Sequence, residues 1–357
     1  LESRKVQKVG HSTVTVSLPS EWVRENHINP GDLVFLLPEK DGTLKIMPSQ
    51  MAQREESEEY IINTDLCDQP GLLGRLVVGS YILGRDVIRL TSSSRIGKEH
   101  VDEIREVVHK LIGLGILEET PKNILLQCSV DPAKFKLDML IRRLTVIAST
   151  ILSESMQAFL ENNRSLAQEA VNREQEADKI YYLAVRLLLS AQIKPEIAES
   201  VGATDIVFIP ATRLVLQYLE LVADYSEDMA KKIIELEIRG DKLPKVIVER
   251  TFHLGEVTQT ILQKSVDCLF TGDIKVANNV LELKKALSLE VDTMMHDAPG
   301  IPFLRALISC LDKIADLGAT TANIAINRAL EQPSKYAEDI VRTVRHARAV
   351  PLPKKKK

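Results

Sequence analysis

From about residue 135 onward apolar positions recur at the three-and-four spacing of amphipathic helices, and alternating strand patterns disappear. The periodicity predicts six long helices, near 135–162, 164–192, 205–238, 243–271, 273–297 and 302–331. Asn162-Asn163 and Gly272-Asp273 fall where one helix must turn into the next. The first fifty residues follow a different rule. Val6, Val14, Val16 and Leu18 alternate with polar neighbours around Gly10, and a second alternation runs through Leu33–Leu37 and Leu44–Met47. Between the two, Pro19-Ser20-Glu21-Trp22-Val23 predicts a short helix opened by a serine cap and closed before Asn29-Pro30-Gly31-Asp32. Asp41-Gly42 supplies a tight hairpin turn.

After a polar, acid-rich linker from Met51, a strand is predicted over 59–63, a helix over 71–83, a strand over 86–91, an amphipathic helix over 98–112 and a hairpin over 115–130 around Pro121-Lys122-Asn123. The chain thus reads as mainly α: tandem three-helix bundles preceded by a small β domain and a small α/β spacer. The expected divisions are 1–50, 51–134, 135–238, 239–335 and a tail over 336–357.

Composition agrees with a helical bulk, because only 4% of residues are aromatic while 45% are hydrophobic. The net charge of −4 means that any nucleic-acid contact must come from a local basic surface, and Arg4, Lys5 and Lys8 form one. Over residues 1–50 as a whole six basic side chains, these three included, balance six acidic ones. Cys67, Cys128, Cys268 and Cys310 have neither zinc-ligand nor redox-motif spacing and are expected to be reduced, buried thiols. No apolar run is long enough to span a bilayer and no signal peptide is visible, so a cytoplasmic protein without membrane insertion is expected, and Lys354–Lys357 reads as a solubilising tail. Glu106 and His109 have Glu-x-x-His spacing, but no second copy exists to complete a di-iron site, and a surface histidine is the better account.

The helical half repeats itself. Residues 209–224 align without gaps on 301–316, with identity at Ile209, Pro210, Arg213, Leu219, Ala223 and Asp224. Ile151-Leu152-x-x-Ser155 recurs as Ile261-Leu262-x-x-Ser265. In each copy a proline starts the helix, followed by an arginine, an acid seven residues on and an aspartate four further: Arg213, Glu220, Asp224 and Arg305, Asp312, Asp316. At about 100° per residue the three lie within about 40° of one another. Most acid pairs at this spacing are merely solvated. In the second copy, however, the face continues through Ser309, Thr320, Asn323 and Asn327, short polar groups that suit a surface pressed against a ligand. Unpaired carboxylates one helical turn apart repel, and a hard cation resolves this by taking oxygens from both. Glu174 and Asp178 offer a second pair that would join Glu220, Asp224 and Asp228 in one oxygen-rich site. For the second copy Glu290 and Asp292 are available, but Ser288 stands where the spacing would place an acid, so that site is expected to be poorer or differently built.

Two resemblances follow from these strings. Arg4-Lys-Val-Gln-Lys-Val-Gly10, Ser12-Thr-Val-Thr-Val-Ser-Leu-Pro19, Trp22 and Asn29-Pro-Gly-Asp32 resemble the AbrB/SpoVT/MazE swapped-hairpin domains. That resemblance implies a homodimer intertwined through the N-terminal hairpin, with Arg4, Lys5 and Lys8, together with His11 and Ser12, placed to contact promoter DNA. The alternative is a hairpin that only dimerises. Leu219-Glu-Leu-Val-Ala-Asp224 and Leu311-Asp-Lys-Ile-Ala-Asp316 resemble the repeated acidic signature of PhoU proteins. That resemblance implies paired three-helix bundles, bound metal (iron or zinc foremost, magnesium or manganese next), negative regulation of phosphate uptake, and a phosphate transporter or its signalling protein as partner. Asp68-Gln-Pro-Gly-Leu-Leu73 is faintly similar to the helix start of ACT domains, though the strand order differs. No nucleophile constellation or glycine-rich phosphate loop is present, so a regulator rather than an enzyme is expected. The competing readings are a transporter-docking scaffold that does not bind DNA and a ferritin-like metal-carboxylate enzyme.

Overall fold

The computed structural model describes residues 3–10, 13–38, 42–48, 59–239, 243–297, 301–331 and 336. The chain divides into two compact units, Leu1–Tyr60 and Ile61–Lys357.

In the first unit β1 (Gln7–Val9) pairs antiparallel with β2 (Thr13–Thr15), Lys8 opposite Val14, around Gly10 at φ +68. Helix α1 (Ser20–Glu25) follows. Its cap differs from expectation. Pro19 is the capping residue, its extended backbone presenting a carbonyl to the Val23 N–H at 3.0 Å, and Ser20 is already helical. The Asp32 carboxylate accepts the Asn29 N–H at 2.7 Å, closing the turn that sends the chain into β3 (Val34–Pro38). β3 pairs antiparallel with β4 (Leu44–Pro48), Leu36 opposite Ile46. Asp41, the first residue of the expected hairpin turn, lies outside the described residues, while Gly42 has φ +85. Two separate two-stranded sheets and one six-residue helix enclose almost nothing: among the described residues through Pro48, only Pro48 itself is buried.

An α/β segment, all of it in the second unit but for Tyr60, comes next: β5 (Tyr60–Asn63), α2 (Leu72–Ile82), β6 (Val87–Thr91), α3 (Lys98–Lys110), β7 (Leu114–Glu119) and β8 (Asn123–Cys128). The sheet order is β5-β6-β8-β7, with β8 antiparallel to both neighbours. Leu73, Val77, Tyr81, Ile88, Leu90, Ile104 and Leu126 form its core. Helices α2 and α3 touch through Gly74, whose N–H donates to Glu103 at 2.7 Å.

Six long helices follow, as the periodicity predicts: α4 (Leu137–Glu161), α5 (Arg164–Ile193), α7 (Ile209–Arg239), α8 (Lys245–Thr271), α9 (Ile274–Asp297) and α10 (Pro302–Ala329). A short α6 (Pro195–Val201), not foreseen, is inserted after α5. Helices α4, α5 and α7 pack on one another, as do α8, α9 and α10, and contacts of α7 with α10 and of α4 with α8 merge the two bundles into one apolar core. The repeat is visible in the crossings of first and third helices, which both need small groups. Ser155 donates to the Ser226 carbonyl at 2.9 Å, and Gly318 lies so close to α8 that a Cβ there would meet Ile261 Cγ2 at 2.7 Å. All four cysteines are buried free thiols, and Glu106 and His109 are exposed. No helix among the described residues is long and apolar enough to cross a membrane.

The α/β segment does not merely precede the bundle. Arg186, on α5 within the apolar run Leu183–Leu189, is 5% exposed. Its guanidinium donates to the Tyr81 carbonyl at 2.6 Å, to the Arg85 carbonyl at 3.1 Å and to Asp86, and sits over the Tyr81 ring. Asp86 is largely exposed, so that ion pair adds little; the bonds from the buried guanidinium to the two carbonyls matter more, although the Tyr81 carbonyl also accepts the Gly84 N–H at 3.0 Å. Arg186→Met should keep the packing of the stem but remove the guanidinium's bonds to both carbonyls, a loss of about 1–2 kcal/mol read by chemical denaturation. A change below about 0.5 kcal/mol would show that solvent satisfies the carbonyls instead.

Candidate functional site

Two places carry functional chemistry. In the N-terminal unit Arg4, Lys5 and Lys8 are exposed, on and just before β1, and Lys8 shares a face of the β1–β2 ribbon with Val14. His11 and Ser12 lie outside the described residues. The same unit exposes Val6, Val9, Val14, Val16, Leu33, Phe35, Leu36 and Leu44, with Leu33 at 74% and Val6 at 69%. An apolar surface of this density in a unit without a core is more than single scattered surface residues would give, and it is available for burial against a partner.

The second place lies between α5 and α7. Helix α5 contributes Glu174 and Asp178, and α7 contributes Glu220 and Asp224, all half-buried. Burial followed by mutual repulsion raises every one of them. Glu220 is pushed up to about 7 by burial, then by Asp224 and Asp178. Asp224 is pushed up to about 6 by burial, then by Asp178 and Glu227. Glu174 and Asp178 form a tightly coupled pair, both raised first by burial, with a hydrogen bond between them that favours the proton on Glu174. Lys110, at the end of α3, is the main group opposing this at Asp178.

A polar relay orders the α7 side. Arg213 donates to the Tyr181 hydroxyl at 3.0 Å, and Tyr181 donates to Gln217 Oε1 at 2.7 Å. Gln217 Nε2 in turn donates to Glu220 at 2.5 Å. Glu227, unremarked in the sequence, contributes to the field at Glu174, Asp178 and Asp224 and pairs with Lys231 at 2.7 Å. Asp228 is exposed, 3.9 Å from Lys232, and is a peripheral charge.

The second repeat is built differently. Lys284 on α9 places its ammonium 3.0 Å from Asp312 Oδ1, 2.8 Å from Asp316 Oδ1 and 2.7 Å from the Ser288 hydroxyl. Burial works to lower the Lys284 pKa, but its hydrogen bonds to Asp316 and Asp312 outweigh this and raise it. Glu290 does not join Asp312 and Asp316, because two residues on from Ser288 the helix has turned through about 200°. It pairs instead with Arg250 of α8, at 2.6 Å. Asp292 is exposed. The face continuing through Thr320, Asn323 and Asn327 is exposed as well, not pressed against another element.

Among the described residues no three His, Cys, Asp or Glu side chains already converge on one metal position. The α5–α7 set nevertheless fits a cation chemically. Its donors are oxygens only, and its raised proton affinities mark an unneutralised charge that a metal would relieve.

Residues 141–233 match the PhoU domain. The match begins in α4 and ends in α7, so it covers the repeat that holds the four carboxylates, and the second repeat lies beyond it. Residues 7–54 match the MazE family of bacterial antitoxins, described as antidote-toxin recognition. Solved structures similar to the chain are PhoU proteins. One is PhoU from Pseudomonas aeruginosa, 17% identical over 54% of this chain and 94% of that one, with TM-score 0.48. Another is the phosphate transport system regulatory protein PhoU from Streptococcus pneumoniae, 15% identical over 56% and 96%, with TM-score 0.43. No curated protein matches the chain.

With no cation present, the four α5–α7 carboxylates set a pH dependence whose sign is fixed. Their folded pKa values lie above the ordinary carboxylate values, so the folded state binds more protons and stability falls as pH rises from about 4 to about 7. Asp65 works the other way, held down to about 2 by the Ser92 hydroxyl and the Ser93 N–H, but it acts below pH 4. Metal-free protein should therefore unfold more readily at pH 8 than at pH 5. The difference is on the order of 1–2 kcal/mol once solvent screening is allowed for, and Glu220→Gln/Asp224→Asn should flatten it. A thermal melt series across that range measures it, and a metal-free wild type whose stability rises through the same window would contradict the electrostatics.

Proposed function

We propose that this chain is a dimeric regulator of phosphate uptake that joins a DNA-binding hairpin to a metal-responsive PhoU-type bundle. The observation that carries the reading is the N-terminal unit, with a basic strand and eight exposed large apolar residues around no core of its own. A second chain would bury those residues and align two copies of Arg4, Lys5 and Lys8, doubling the positive charge offered to a phosphate backbone. Phosphate contacts from these side chains would fix register and affinity, with any base reading left to one or two side chains near the turn.

In the bundle Glu174, Asp178, Glu220 and Asp224 are the metal ligands of this reading, with Glu227 in reserve. An oxygen-only set favours hard cations, so iron, manganese or magnesium rank ahead of zinc. Binding would draw α5 and α7 together, and Arg213, through Tyr181 and Gln217, positions Glu220 for it. The phosphate transporter or its signalling protein is the partner through which the bundle would sense transport status. A scaffold that dimerises and docks without DNA is the second reading, favoured by the even balance of acids and bases over residues 1–50.

The test of assembly is sedimentation of the full chain. A dimer at micromolar concentration is expected, converted to monomer when Phe35 and Leu36 are replaced by lysine; a wild type that sediments as a monomer would end the intertwined-hairpin reading.

A further inference from the structure

We propose that Lys284 is the resident cation of the second repeat, so that Asp312 and Asp316 are held by an ammonium group and only the first repeat takes a metal. The inference rests on the metal reading of the α5–α7 carboxylates and departs from it for α9–α10.

Helices α5 and α9 occupy equivalent places, and their burial patterns coincide: Ala167, Ala170 and Ala177 match Ala277, Val280 and Leu287. In that register Lys284 stands where the first repeat has Glu174, and Ser288 where it has Asp178. The two stripes therefore differ in charge. The first presents four carboxylates; the second presents two aspartates less one lysine, a net of one negative charge. The ammonium spans both aspartates and the Ser288 hydroxyl, satisfying all three of its donors, and the Lys284 side chain is only 13% exposed. A metal entering this place would take both carboxylates and leave a largely buried ammonium without a counter-charge, which is strongly unfavourable. Other differences follow the same line. Ser309 stands where the relay has Gln217, and Val291 where it has Tyr181, so no ordered path leads from Arg305 to Asp312. The result is an asymmetric pair: the acids of α10 are clasped to α9 by a side chain, whereas the facing carboxylates of α5 and α7, joined nearby through Tyr181, have a cation left to supply.

The test offers iron(III), manganese(II) and zinc(II) singly to the full chain, removes free metal by gel filtration and measures bound metal per chain. Four proteins are compared: wild type, Glu220→Gln/Asp224→Asn, Asp312→Asn/Asp316→Asn and Lys284→Glu/Ser288→Asp, the last rebuilding the first repeat's donor set. Wild type is expected to bind metal, the first double variant to lose it, the second to retain the wild-type amount and the rebuilt variant to bind about twice as much. Metal lost from a folded Asp312→Asn/Asp316→Asn protein overturns the inference. So does a rebuilt variant that binds no more than wild type, since the lysine was then not what kept metal out. A metal-independent arm separates this from the first-repeat reading: a cycle of Lys284→Met with Asp312→Asn/Asp316→Asn, read by denaturation. Coupling of about threefold or more in the unfolding constant supports the ammonium clasp, and additive effects reject it. If wild type binds none of the metals, the reading of the first repeat fails by itself, and the cycle alone decides whether Lys284 is the resident cation.

Discussion

Replacing Arg4, Lys5 and Lys8 together by alanine is expected to abolish the proposed binding of the chain to promoter DNA while leaving the proposed dimer assembled. The three side chains are exposed and lie on or before β1, so their removal opens no cavity in a core. In a dimer six positive charges disappear. Each phosphate neutralised contributes about 0.9 to the slope of log affinity against log salt, so the slope should fall by up to about 5. Affinity should drop by about a thousandfold or more at physiological salt. Fluorescence anisotropy between about 50 and 200 mM salt reads both quantities. Substitution of one residue should lower affinity evenly across sequences if it contacts only phosphate, and should relax the preference at one base pair if it reads an edge. Unchanged binding by the triple variant would move the interpretation to the transporter-docking scaffold.

The second large effect is expected at α5 and α7. Glu220→Gln/Asp224→Asn should remove bound metal and, with it, the rise in melting temperature that metal produces. A cation present at about a thousand times its dissociation constant stabilises the folded state by about 4 kcal/mol, all of which the variant should forfeit. Without metal the same substitutions act in the opposite direction. They remove two of the four half-buried carboxylates that repel one another, so the metal-free variant should be more stable than metal-free wild type above neutral pH, by on the order of 1 kcal/mol. This crossing of signs distinguishes a ligand from a solvated acid, for which both differences should be a few tenths of a kcal/mol. Thermal melts of the two proteins with and without iron, manganese and zinc give all four numbers.

The helices were legible in the sequence because each is long enough to display its period several times over; α6, with seven residues, is too short to do so and went unseen. The acidic stripe on α7 was legible because it recurs. Which acids complete it was less so: Asp228 sits one turn on from Asp224 yet is exposed, while Glu227, at three residues rather than four, contributes to the field of the site. A polar contact between elements distant in sequence leaves little trace in either local pattern. Arg186 offered one hint, a charged residue inside an apolar run, but nothing local names the carbonyls of Tyr81 and Arg85 as its partners. Lys284 was hidden for a different reason. Ser288 announces that the second stripe is incomplete, but a lysine on an amphipathic helix looks solvated until the second helices of the repeats are aligned on Ala167 and Ala277.

The grip of Arg186 on α2 and its following turn has a mechanical side. Asp178, a member of the carboxylate stripe, lies eight residues before Arg186 on the same rod, about 12 Å along the axis. Its charge is opposed from outside by Lys110, at the tip of α3. The α/β segment thus holds α5 at two stations, one electrostatic and one geared through hydrogen bonds. If the carboxylates close on the proposed cation, a slide or roll of α5 would pull on the Tyr81 and Arg85 carbonyls and slacken the hold of Lys110, and the segment would then be a transmission from the charge state of one helix to the sheet.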